Sequence, residues 1–425
     1  MRIFSVVLKV ARPIRHSHTR AVSAPSDPPL PLAARLDAVK RSATGAFFER
    51  ALALKASGQE LFSFTVGEPD FDTPAHVIEA AQRALAQGAT RYTAARGLPS
   101  LREAICADSA ARRGGHAHTP DEVVVSVGAK HSLCNLALAL LGPGDEVIVP
   151  SPCWVSYPDQ CRLVGAEPVI VPTTAEAGFK LTPEQLSEAL TERTRALILC
   201  TPSNPTGAAY TRQELQALAE VARRHSFWII VDEIYAELVY GGFEQVSLLE
   251  VAPDLRERLL IVDGVSKRYA MTGFRIGWVL APARVAEAVD RVQSQSTTNP
   301  ATVSQHAALA ALTGPQDPVE QMRAAFERRR GEVVNALNAI APLRCRMPEG
   351  AFYAFFDVRG LLGRTLAGRA LESDGDVVDL LLDEAHVALV PGSGFLAPGF
   401  LRMSYAAADD ELREGLRRIA DTLGA

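Results

Sequence analysis

Lys267 and Arg275 are the residues whose types and spacing first point to chemistry. Lys267 follows the apolar run Leu259-Leu260-Ile261-Val262, inside Gly264-Val265-Ser266-Lys267. A lysine at the end of a core strand is desolvated, which lowers the pKa of its amine and favours the neutral, nucleophilic form. Such an amine can form a Schiff base with a carbonyl. Arg275 lies in Gly273-Phe274-Arg275-Ile276-Gly277, and arginine is a common choice for holding a phosphate. An aldehyde site and a phosphate site so close together point to pyridoxal 5'-phosphate (PLP). Taken alone, the pair reads first as a surface lysine and arginine flanking a turn. Other strand ends must decide.

Those ends carry polar groups at the positions where open parallel sheets bind ligands, just beyond the carboxyl ends of the strands. Gly128-Ala129-Lys130 follow the run 123–127 at a helix start. Thr201-Pro202-Ser203-Asn204-Pro205-Thr206-Gly207 follow 196–200, and Asp232-Glu233-Ile234-Tyr235 close 227–232. Backbone amides at Gly128 and Ala129 offer an anion site, to which Ser266 and Arg275 add donors. Asp232 would be an expensive buried carboxylate unless it met a cation, and a protonated pyridine nitrogen is one. Asn204 and Tyr235 are placed to hold a phenolic oxygen, and Trp154 is a flat plate that could stack on the ring. Singly, Asp232 reads as a helix N-cap, Asn204 to Gly207 as a turn and Trp154 as core. Their common edge favours the joint reading.

The elements that must position these groups alternate. Strand-like runs fall at 123–127, 146–150, 168–171, 196–200, 227–232, 259–265 and 276–281, with helical patterns at 130–141, 182–190, 211–225 and 284–293. Near-continuous Val, Ile and Leu runs between helices predict a mostly parallel sheet covered on both faces. Thr182-Pro183-Glu184-Gln185 and Thr211-Arg212-Gln213-Glu214 read as capping boxes. Thr73 reads as the N-cap of a helix that ends near Gly88. Beyond Asn299-Pro300 the pattern predicts one long helix to about Asn338, strands near 352–358, 387–391 and 400–405, and a closing helix from Asp409. The expected division is a basic extension (1–31), an N-terminal segment packing with the small domain (32–64), a large domain (65–299) and a small α+β domain (300–425).

Composition sets bounds. The 425 residues carry a net charge of −5, which gives no argument for nucleic acid as the main partner. Six cysteines form no C-x-x-C and read as reduced core residues of a cytoplasmic protein. No H-E-x-x-H or similar pair supports a metal, and no run approaches the roughly 18 apolar residues of a membrane span. No G-x-G-x-x-G follows a strand, which removes a nucleotide oxidoreductase. Residues 1–26 are basic, with no acid before Asp27. That composition resembles an organellar transit peptide, and a disordered extension or an upstream start codon gives the same pattern.

With these residues in place, the chain resembles the class I/II aminotransferases of PLP fold type I, closest to the aspartate aminotransferases of the I-beta subgroup. The resemblance runs from about residue 35 to the end. It is carried by Thr65-Val66-Gly67-Glu68-Pro69-Asp70-Phe71-Asp72-Thr73-Pro74, residues 92–102, the Trp154 segment, Asn204 to Gly207, Asp232 to Tyr235, 264–277 and Val390-Pro391-Gly392 through Arg402. It implies ping-pong transamination with Lys267 as Schiff-base lysine and proton shuttle. It implies that Arg402 clamps the substrate α-carboxylate, with Gly67, Trp154 and Asn204 around it, and that Tyr92 reaches the partner's cofactor in a homodimer. Lys130 would meet a distal carboxylate, and Ser42 and Thr44 match the subgroup's substrate-facing segment. Aspartate and glutamate are the implied substrates. Prephenate, aromatic or alanine-type substrates, a PLP lyase and a PLP-binding regulator are the competing readings, and residues 1–30 cannot form the helix-turn-helix unit of the last. The sequence departs from the family at Ala94-Ala95, where prolines are common, predicting a softer loop, and at Ala129, where a second glycine is common.

Overall fold

The computed structural model describes residues 30, 32–39, 58 and 60–424. The chain divides into two units, 1–34 and 35–425, and the architecture is that of the second. Nearly all of the extension 1–31, much of the N-terminal segment 32–64, and both Ser42 and Thr44 lie outside the described residues.

Seven runs of β-branched and aliphatic residues form the main sheet. They are β1 (Val123–Ser126), β2 (Glu146–Ser151), β3 (Glu167–Pro172), β4 (Thr194–Cys200), β5 (Trp228–Asp232), β6 (Leu259–Gly264) and β7 (Gly277–Leu280), in the spatial order β1-β7-β6-β5-β4-β2-β3. All neighbours pair in parallel except β7, which runs antiparallel to β6 and to β1. Residue alternation sends Ile229, Val231, Leu259 and Ile261 into one apolar layer, and Ile230, Leu260 and Val262 into the other. Both faces are therefore covered. Helices α1 (Ala75–Ala86), α2 (Pro99–Arg112) and α9 (Thr302–Thr313) pack together over one face. Helices α3 (Ala129–Leu140) and α8 (Ala283–Ser294) pack over the other, with α4 (Ser156–Leu163) beside α3. Between α1 and α9 also lie α5 (Pro183–Ala189), α6 (Arg212–Arg223), a single-turn helix at Leu248–Val251 and α7 (Val265–Arg268).

A smaller α+β part follows. Helix α10 (Asp317–Ala339) leads into β8 (Arg344–Cys345), β9 (Tyr353–Asp357), α11 (Asp374–Glu384), β10 (Val390–Pro391), β11 (Phe400–Ser404) and α12 (Asp409–Leu423). The strands form an antiparallel sheet in the order β10-β11-β9-β8. It shares an aromatic core of Phe326, Phe352, Phe356 and Tyr405 with α10 and α12. Phe62 and Ser63 pair with Val387 and Ala388, so the chain enters the main fold from this side.

Several local expectations change. The long helix after Pro300 is two, α9 and α10, because the chain breaks at Gly314-Pro315, where the ring cannot continue the ladder. Thr73 does not cap α1; its Oγ1 donates instead to the Ala270 carbonyl at 2.6 Å, and Pro74 takes the capping position. The boxes at Thr182 and Thr211 both form. Helices α4 and α11 were not legible, although α11 opens with its own box, Ser373 with Asp376.

Beneath the carboxyl ends of β5 and β6 lies a buried ionic network. Arg113, 1% exposed, binds Glu233 at 2.6 Å and Asp263 at 3.1 Å. Arg112 joins Asp263 to Asp108, and Asp108 holds Arg268 at 2.7 Å. Removing one member leaves its partners charged and dry. Arg113→Met should therefore cost about 3–5 kcal/mol, read as a lowered urea midpoint. Arg83→Met, which breaks an exposed pair with Glu79, should change stability by under about 1 kcal/mol. Equally small effects would mean that the network carries no weight.

Candidate active site

The ends of β1, β2, β4, β5 and β6 of the main sheet and two strands of the smaller sheet, β9 and β11, surround a cavity of about 330 Å3. It is lined by Gly67, Ala129, Lys130, Trp154, Asn204, Asp232, Tyr235, Ser266, Lys267, Arg275 and Arg402, all singled out from sequence. Helix α7 begins directly after β6 and lifts Lys267 into the cavity, where Nζ donates to the Gly67 carbonyl at 2.6 Å. Burial is the main influence on that amine and pulls its pKa down to about 8.

Asp232 ends β5 and is 3% exposed. Tyr157 donates its hydroxyl to Oδ2 at 2.8 Å, and the Ile234 amide donates to Oδ1 at 3.2 Å. Burial nevertheless pushes the carboxyl up to about 6, and Asp263 and Glu233 behind it add to the rise. Among the described residues no lysine or arginine forms an ion pair with it. Arg402, in β11, is the mirror case. It is 2% exposed, donates to Asn204 Oδ1 at 2.8 Å and to the Thr65 carbonyl at 2.6 Å, and lies between the rings of Tyr353 and Phe395. Its Nε has no partner and no carboxylate faces it among the described residues. Desolvation lowers its pKa.

At the other end of the cavity the first amides of α3 have no acceptor within the helix. Gly128 precedes them with φ +82°, and a Cβ there would stand 2.5 Å from Arg275 Nη2. Arg275 is itself left-handed and exposed, its Nη1 donating to the Thr272 carbonyl. Gly128 thus touches the cavity through Arg275 rather than lining it. Lys130 is exposed at the rim, its Nζ 4.7 Å from the Trp154 ring centre. Burial and Arg275 lower its pKa. Ser266 is buried beside Lys267.

Tyr92 stands apart, 89% exposed and outside the cavity. Tyr157 and Tyr353, the two tyrosines besides Tyr235 that line the cavity, escaped the sequence reading. Tyr157 lies one helical turn beyond Trp154, edge-on to its ring, and that spacing was a usable signal. Tyr353 had none. Its hydroxyl meets that of Tyr235 at 2.8 Å, and a Cβ on Gly67 would stand 2.2 Å from it.

A family model described as aminotransferase class I and II matches residues 59–419. The chain belongs to the class I and II aminotransferases. It is 47% identical to an aspartate aminotransferase of Geobacillus stearothermophilus over 91% of this chain and 98% of the relative. It is 48% identical to an aspartate/prephenate aminotransferase of Cereibacter sphaeroides, covering 90% and 96%. Among solved structures, the aspartate aminotransferase of Rhizobium meliloti matches with a TM-score of 0.90 at 44% identity, covering 93% of this chain and 99% of that one. One from Thermus thermophilus, with maleate, matches at 0.87 and 44%, covering 92% and 100%. The fold is that of PLP fold type I, and as an aminotransferase the protein moves an amino group between an amino acid and an oxo acid.

An amine whose pKa lies near 8 is mostly protonated at pH 7 and mostly neutral at pH 9. In cofactor-free protein, acylation of Lys267 by an amine-selective reagent should rise through a midpoint near pH 8, well below that of exposed lysines. Peptide mapping of labelled protein measures this, and a midpoint near 10 would count against a desolvated amine.

Proposed function

We propose that this aminotransferase uses PLP and acts on aspartate and glutamate with their 2-oxo acids, as a homodimer. The observation that carries the reading is Arg402, a buried guanidinium without an acidic partner among the described residues. A cation kept dry and unpaired is costly, and a carboxylate arriving with the substrate would offset that cost through two parallel hydrogen bonds. Lys130 at the opposite rim supplies a second cation for a distal carboxylate, and the dicarboxylate maleate in the Thermus relative's structure supports the same class. The aspartate/prephenate relative from Cereibacter supports prephenate as a second acceptor, since it too carries two carboxylates.

The residues fit the cofactor. Asp232, buried and in no ion pair among the described residues, suits a protonated ring nitrogen. The α3 amides with Ser266 and Arg275 suit a phosphate, Trp154 a ring face, and Asn204 and Tyr235 a phenolic oxygen. When bound, PLP supplies an aldehyde for the amino group and a ring that withdraws electrons from the substrate Cα. Lys267 Nζ, poised between neutral and charged near pH 8, takes the proton from that Cα and returns one to complete the transfer. Asn204 orients Arg402, and the ring faces of Tyr353 and Phe395 exclude water from it. Tyr92 is proposed to serve the partner's phosphate site, and the reduced, free cysteines fit a cytoplasmic protein. We place the domain boundary after Gly314 rather than at 300, because α9 shares the core of the main sheet.

Removing one half of a buried charge pair costs about 2–5 kcal/mol. Arg402→Leu should therefore lower kcat/KM by roughly 30-fold or more for every amino acid tested. Lys130→Ala should weaken aspartate and glutamate while sparing monocarboxylic amino acids. Steady-state assays with oxaloacetate, 2-oxoglutarate and prephenate side by side decide the acceptor. Equal losses on di- and monocarboxylic substrates would return Lys130 to the surface.

A further inference from the structure

The loop 91–97 carries Tyr92 away from the subunit on a backbone without proline, yet the chain does not leave it loose. Two glutamine side chains with no exposed surface meet it from beneath. Gln293, near the end of α8, donates Nε2 to the Ala95 carbonyl at 2.6 Å and to the Val125 carbonyl at 2.8 Å. Its Oε1 accepts from Ser126 and Asn135. Gln305, in α9, accepts from the Leu98 amide at 2.7 Å, and its Nε2 donates to Thr93 Oγ1 at 3.1 Å and to the Pro300 carbonyl at 2.9 Å. Thr302 adds a third tether, its Oγ1 donating to the Arg91 carbonyl at 2.6 Å.

Gln293 uses all four hydrogen-bonding positions of its amide and Gln305 three of four, which is what makes their burial tolerable. A helix face that only had to cover the sheet would be served by Leu or Met. These amides instead hold the chain after Tyr92, at Thr93, Ala95 and Leu98, and Thr302 holds the carbonyl before it, while the ring between them remains 89% exposed. An aromatic ring held out so firmly is displayed to another surface.

We propose that Gln293 and Gln305 are positioning residues that hold the 91–97 loop so that Tyr92 presents its hydroxyl at a fixed place to the site of a second copy of this chain. The proposal rests on the homodimer reading of Tyr92 given above, and supplies the stiffness that Ala94-Ala95 do not.

The test uses the full-length, PLP-loaded enzyme. Gln305→Met keeps the side-chain volume and removes the amide. Thr302→Val, at an exposed tether, folds even if a buried change does not. Amide exchange over 93–98, followed by mass spectrometry, should quicken at least ten-fold in Gln305→Met and measurably in Thr302→Val. Loss of cofactor absorbance during dialysis should quicken about ten-fold in Gln305→Met and in Tyr92→Phe. The double variant should lose it no faster than the worse single one, a non-additivity that general loosening would not produce. Unchanged exchange in both tether variants overturns the clamp. Faster exchange with cofactor retention lost only in Tyr92→Phe, or additive losses, overturns the link to Tyr92. Full retention in Tyr92→Phe itself overturns the reading on which the proposal rests, whatever the tethers do.

Discussion

Desolvation of charge organises this molecule. Asp232, Lys267 and Arg402 are each drawn out of water at one cavity, and each is left without the partner that would make burial cheap. The consequences differ by chemistry. The carboxyl rises to about 6 and the amine falls to about 8, so both move towards neutrality. The guanidinium cannot follow them, because its ordinary pKa lies too high. It stays charged and is satisfied only in part, by Asn204, Thr65 and two ring faces. A site holding these three groups is stable only because the surrounding fold over-determines their places.

The parallel sheet makes that possible. β4, β5 and β6 end side by side, so Asn204, Asp232 and Lys267 arrive within one cavity without a long loop between them. Immediately behind, the next residue of the chain is in two cases part of the ionic network. Glu233 follows Asp232 and is held by Arg113; Arg268 follows Lys267 and is held by Asp108. The network fixes the backbone from which the functional side chains project. Its acids also bear on Asp232, where Asp263 and Glu233 raise the carboxyl further.

What could be read from the sequence divides along the same physical line. Strand ends were legible because a doubly covered parallel strand is a run of aliphatic residues, and the first polar residue after it marks the edge. Lys267, Asp232 and Asn204 were found that way. Arg402 came from the family resemblance, since it lies within antiparallel β11 rather than just beyond a strand end, and its burial follows from the smaller sheet's packing. Tyr353 was hidden for the same reason: nothing in Ala351-Phe352-Tyr353 distinguishes a core aromatic from one facing the cavity. The break between α9 and α10 was missed although Gly314-Pro315 announced it, because helical periodicity continued on both sides. Gln293 and Gln305 look like ordinary polar residues of helices, and only their burial reveals them.

The cavity draws on both parts of the structure, and this bears on how a substrate would be held. Lys267 and Asp232 belong to the main sheet, whereas Arg402 and Tyr353 belong to the smaller one. The segment 64–73 runs between them. Its Gly67 carbonyl receives Lys267, and Gly67 itself lies too close to the Tyr353 hydroxyl for any side chain. Three residues on, Asp70 is gripped at 2.8 Å by Arg329 of α10, which also binds Asp409 at the start of α12. Arg329 is 7% exposed and rests on Phe71 and Phe326. One buried arginine therefore ties the segment touching the reactive amine to both long helices of the smaller part. Arg402 of β11 itself donates to the Thr65 carbonyl at 2.6 Å, two residues before Gly67. The positions of Lys267 and Arg402 are thus linked through one short segment, residues 65–67, which receives a hydrogen bond from each.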